Sequence, residues 1–78
     1  MDRFAKVDEI IADVLDLDED EIDPDMVFEA DLGADELDLM VILTDVESEY
    51  GISLTDAEYV DITTVGEIYE VIVRRQGK

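Results

Sequence analysis

Apolar residues recur at helical spacing along most of this chain, and nowhere at a convincing strand spacing. Phe4, Val7, Ile11 and Val14, with Ile10 and Leu15 beside them, predict an amphipathic helix from about Asp2 to Leu15. Leu39, Ile42, Leu43, Val46 and Tyr50 form the stripe of a second helix. Asp35 stands at its N-cap after Gly33-Ala34, and Asp38 three positions on comes close to a capping box. Gly51 suits a left-handed C-cap. A short loop with Ile52 and Leu54 leads to a brief third helix, about Asp56 to Val60. Thr64-Val65-Gly66-Glu67 reads as a capping box that opens the last helix. Val65, Ile68, Tyr69 and Ile72 face inward from it, Arg74 and Arg75 complement its dipole in the last turn, and Gly77 serves as its stop.

Between the first two helices lies a long acidic loop, Asp16 to Ala34, with the only proline, Pro24. A loop this long needs anchoring, and Val27, Phe28 and Leu32 are the residues able to pin it to the core. The expected fold is all-α: a small four-helix bundle of three main helices and a short third helix, with a long first connection. Residues 1–78 make a single domain without internal repeats.

Composition narrows the chemistry. There is no cysteine and no histidine, which removes disulfides, the usual general base and the commonest transition-metal ligands. Nothing singles out a carboxylate pair in an apolar cleft, so no enzymatic activity is expected and no catalytic residue is assigned. Met1-Asp2-Arg3-Phe4 does not open a signal peptide. The longest apolar run, Leu39 to Leu43, is far too short to span a bilayer. A cytoplasmic monomer is the expectation.

The net charge of −19 is unevenly placed. All five basic residues lie at the ends, as Arg3, Lys6, Arg74, Arg75 and Lys78, while every acid except Asp2 lies between Val7 and Val73. Such a surface repels nucleic acid and anionic membranes, attracts basic protein patches and repels itself at low salt. The run Asp16 to Asp23 matches a calcium-binding EF-hand loop at positions 16, 18 and 20. It fails at the required glycine, which is Glu21, and at the closing glutamate, which is Val27. No metal site is assigned, and only weak binding of divalent cations by clustered carboxylates is expected.

The most informative stretch is Asp31-Leu32-Gly33-Ala34-Asp35-Glu36-Leu37-Asp38. It resembles the attachment motif of acyl carrier proteins, Asp-Leu-Gly-Ala-Asp-Ser-Leu-Asp, whose serine carries 4′-phosphopantetheine. The resemblance extends along nearly the whole chain. Val46 to Ile52 is similar to the end of the family's second helix, and Ile62-Thr63-Thr64-Val65 to the segment that opens its last helix. It implies an acyl-carrier-type bundle and a role in fatty-acid or polyketide synthesis, with basic-patch enzymes as partners.

Two departures stand out. Position 36, where the resemblance places the serine, is Glu36, so no cofactor is expected on this chain. Five positions on, where the family usually has an acid on its docking helix, stands Val41. The change at Val41 favours natural divergence over deliberate replacement of the serine, and both origins stay open. The expected docking face comprises Asp35, Leu37, Asp38, Met40 and Val41, an apolar centre with an acidic rim to which Asp31, Glu36 and Asp45 also belong. Coverage by the long loop is the other explanation of its apolar residues. In function, a carrier-like protein that docks without delivering substrate stands beside a regulatory or structural adaptor that uses the same fold.

Overall fold

The computed structural model describes residues 4–76. Helix α1 runs Ala5–Leu15, α2 Glu36–Tyr50, α3 Asp56–Asp61 and α4 Val65–Gln76, with one 3-10 turn at Glu19–Glu21 inside the first connection. The fold is the all-helical bundle that the periodicity predicts. Its only β-type pairing among the described residues is an isolated antiparallel bridge between Val27 and Thr64. The predicted start at Asp2 and the predicted stop at Gly77 lie outside the described residues. Within them, α1 begins after Phe4, whose ring stacks on Tyr69 of α4 at 4.3 Å between centroids.

The core forms where the apolar stripes meet. Val7 and Ile11 of α1, Ile42, Leu43 and Val46 of α2, and Val65, Ile68 and Ile72 of α4 are almost wholly withdrawn from water. Ala12 and Val71 join the buried set beyond the predicted faces, while Leu39, Tyr50 and Tyr69 are half-buried against it. No polar or charged residue is buried among those described, so the interior carries no desolvated charge.

The long connection is pinned as its apolar residues suggest. Phe28 is 2% exposed in the core, with Val27 and Leu32 partly covered. Backbone bonds then tie the loop to the start of α4: Phe28 N–H to the Thr63 carbonyl at 3.0 Å, and Val65 N–H to that of Met26 at 3.1 Å. Gly66 N–H donates to the Pro24 carbonyl at 2.9 Å, and a Cβ at Gly66 would lie 3.1 Å from the same oxygen. Glycine is what lets the loop approach this closely.

Candidate functional site

The attachment-like stretch is built from the loop into α2. Asp31 accepts the Val27 N–H on Oδ2 at 2.7 Å, and Ala34 donates its N–H to the Phe28 carbonyl at 2.8 Å. Ala34 is itself buried. These contacts deliver Asp35 in an extended conformation as the N-cap of α2, where its Oδ1 accepts the Asp38 N–H at 2.8 Å. Asp38 Oδ2 accepts the Asp35 N–H in return, at 3.4 Å, so the capping box is complete. Both carboxylates satisfy N–H groups that a helix start leaves without partners. Glu36 is the first residue of α2 and is exposed. An acid there also complements the helix dipole.

Beyond Glu36 the helix shows an apolar outer face. Leu37 is 70% exposed, Met40 48% and Val41 51%. The Asp16–Ala34 connection therefore leaves this face open to solvent. Asp31, Asp35 and Asp45 are exposed too, and Asp38 is half-buried.

A cleft of about 860 Å³ opens beside the start of α2. Phe28, Leu39 and Met40 line it together with Tyr59, Val60 and Ile62. Glu29, Asp35, Glu36 and Asp56 also line it, and none of its lining residues is basic.

The α3 side of the cleft is held by polar contacts and by Tyr59, which packs half-buried against the core. No residue of α3 is fully buried, and Val60 is 79% exposed. Glu47 of α2 accepts the Tyr59 hydroxyl at 2.6 Å and the Leu54 N–H at 2.7 Å, binding helix and loop to α2. Desolvation, with the Glu47 carboxylate beside it, raises the pKa of Tyr59. Thr55 and Glu58 cap α3 reciprocally. Arg75 of α4 pairs with Glu58 and donates to the Ser53 carbonyl at 3.2 Å. The Thr55 N–H, assisted by Arg75, holds Glu58 below the usual carboxylate range. Of these residues, Thr55 and Glu58 carried a readable signal, the Thr-x-x-Glu spacing of a capping box. Glu47 and Tyr59 are twelve residues apart, with no local pattern to join them.

No serine or threonine neighbours Glu36 in the chain. The first along α2 is Thr44, whose Oγ1 donates to the Met40 carbonyl at 2.8 Å. Ser48 is in the last two turns and Ser53 in the following loop. Among the described residues no group of three or more carboxylates is placed to hold a metal ion, and no helix is long and apolar enough to cross a membrane.

The fold is a small all-helical domain in which an acidic connection leads into the capped start of α2. The family described as "Phosphopantetheine attachment site" matches residues 5–72. The chain is 40% identical over 74 residues to the acyl carrier protein of Thermotoga maritima, covering 95% of this chain and 91% of that one. It is 40% identical over 79 aligned positions to the acyl carrier protein of Rubrobacter xylanophilus, covering 97% and 98%. This chain belongs to the acyl carrier protein family. Members of that family are carriers and not enzymes.

Proposed function

We propose that this protein is a carrier-type docking protein of fatty-acid or polyketide synthesis that does not accept 4′-phosphopantetheine. The observation that carries the reading is Glu36 at the first position of α2, where the family motif holds serine. Loading needs a hydroxyl that attacks the pyrophosphate of coenzyme A and forms a stable phosphodiester. A carboxylate is a weaker nucleophile, and its product, an acyl phosphate, hydrolyses readily. The residues present do not fit the prosthetic group, since the nearest hydroxyl along α2 lies two turns on and is bonded to the backbone. The carboxylate of Glu36 stands in for part of the phosphodiester's charge and lacks the arm's reach.

The protein then acts by occupying the docking sites of carrier-dependent enzymes in the cytoplasm. Leu37, Met40 and Val41 are the apolar centre of that surface, and Asp31, Asp35, Glu36, Asp38 and Asp45 the rim that meets lysine and arginine on the partner. Exposure of the apolar centre supports this reading.

The test is a binding titration against a ketosynthase or an acyltransferase at low and high salt. Met40→Ala is expected to weaken binding at both salts by about tenfold. Asp45→Asn, one turn beyond Val41 and outside the α2 cap, is expected to weaken it mainly at low salt. If neither substitution changes the affinity, this face is not the docking surface, and the adaptor role is the one to pursue.

A further inference from the structure

We propose that Asp31 and Glu67 are coupled positioning residues, two carboxylates that close a ring of backbone hydrogen bonds and so fix the head of α2 against α4. They flank the isolated bridge between Val27 and Thr64, one on each side. Two runs of bonds cross that bridge in opposite senses. In the first, the Asp31 N–H donates to the Val27 carbonyl at 2.8 Å. The Phe28 N–H of the same peptide group donates to the Thr63 carbonyl at 3.0 Å, and the Thr64 N–H of the next group to Glu67 Oε1 at 2.9 Å. In the second, the Glu67 N–H donates to the Thr64 carbonyl at 3.2 Å. The Val65 N–H then donates to the Met26 carbonyl at 3.1 Å, and the Val27 N–H to Asp31 Oδ2 at 2.7 Å. Each run starts at the backbone of one acid and ends on the carboxylate of the other.

Each run passes through two peptide groups, whose N–H and carbonyl are both engaged. A carboxylate at the end polarises the terminal N–H, which strengthens the carbonyl of the same peptide as an acceptor for the next donor. An isolated bridge has no ladder beside it, so the two carboxylates supply the reinforcement that neighbouring strand bonds would give. The segment held in this way leads directly into α2. The Phe28 carbonyl accepts the Ala34 N–H at 2.8 Å, and Asp35 is the N-cap in the next position. Phe28 and Val65 are buried beside the ring, so opening it also loosens core packing. The coupling is reciprocal. Loss of the Glu67 carboxylate loosens the Asp31 amide, and loss of the Asp31 carboxylate loosens the Glu67 amide. How the head of α2 is held does not depend on what docks there.

The experiment is amide hydrogen exchange on the full chain at neutral pH, read as protection relative to Ile11 of α1, together with amide proton shifts. The variants are Glu67→Ala, Asp31→Ala and the double variant. Glu67→Gln and Asp31→Asn keep an uncharged acceptor. Glu67→Ala is expected to lower protection at Phe28 and Asp31 by about tenfold, and Asp31→Ala to do the same at Val65 and Glu67. The double variant should lose less than the product of the two single losses. Glu67→Gln and Asp31→Asn should recover part of the protection, with the Phe28 and Val65 amide protons shifted upfield as their hydrogen bonds weaken. Gly51→Ala, at the far end of α2, is the control for a general loss of stability and should leave the relative protection of these amides unchanged. The proposal is overturned if each alanine variant exposes only the amides bonded directly to the lost carboxylate (Thr63 and Thr64 for Glu67, Val27 for Asp31). It is also overturned if the two losses multiply in the double variant, or if Gly51→Ala exposes Asp31 and Val65 as much. Should an alanine variant fail to fold, Glu67→Gln, Asp31→Asn and their double carry the same comparison. Unshifted Phe28 and Val65 amide protons in them would overturn the proposal.

Discussion

One carboxylate oxygen at the head of α4 gathers four donors. Glu67 Oε1 accepts the N–H groups of Thr63 and Thr64 at 2.8 and 2.9 Å, and their hydroxyls at 2.9 and 3.2 Å. These bonds, the Thr63 N–H foremost, lower the pKa of Glu67 from its ordinary 4.5. Its folded value lies below its unfolded one, so its contribution is complete above about pH 4.5 and is lost as pH falls through the folded value. Glu67→Gln is expected to destabilise the protein by about 1–2 kcal/mol at neutral pH. The difference from the parent should shrink at about pH 3, below the ordinary carboxylate range. Urea unfolding at the two pH values checks this, and an equal difference at both contradicts it. The Thr64–Glu67 pair was legible as a capping box, whereas the part played by Thr63 was not, because it lies outside that local rule. Glu36 was legible for a different reason, as the one residue that breaks a motif otherwise intact.

At the scale of elements, helix ends were read closely because caps are local. Asp35 and Asp38 close α2 at one end, and Gly51 ends it at φ 65°. Nothing lies within 4 Å of where a Gly51 Cβ would stand, so Gly51→Ala tests backbone conformation alone. It should lower stability by about 1 kcal/mol in thermal unfolding, and no loss would show that the left-handed cap is not required. Helix α3 was read from sequence as an element, but what holds it was not. Its attachments, Tyr59 to Glu47 and Glu58 to Arg75, join residues far apart in the chain. With no fully buried residue, α3 has these attachments beside the partial packing of Tyr59 on the core. Tyr59→Phe is expected to speed amide hydrogen exchange in α3 and leave α1 unchanged. Equal protection of α3 in both proteins would show that the tyrosine hydroxyl does not restrain it.

Across the whole molecule, two patterns set the behaviour. The apolar stripes bury one continuous core, which is why the bundle was predictable from spacing alone. The cleft was not, because its walls come from three separated segments and its residues share no period. The charge pattern leaves few opposite partners: the described ion pairs are Lys6 with Glu9 and Glu49, and Arg75 with Glu58. Screening should therefore relieve more repulsion than attraction. Raising sodium chloride from low to about physiological strength and beyond is expected to raise Tm, by about 4–8 °C for each kcal/mol of repulsion removed. A Tm that is flat or falling with salt would show that self-repulsion is unimportant. The central claim is that an intact acyl carrier fold here presents a residue that cannot be loaded. Its most direct test is an intact mass after incubation with coenzyme A and a broad-specificity phosphopantetheinyl transferase. The parent protein is expected to keep its mass while Glu36→Ser gains one 4′-phosphopantetheine. A pantetheine adduct on the parent, at any residue, would contradict the account.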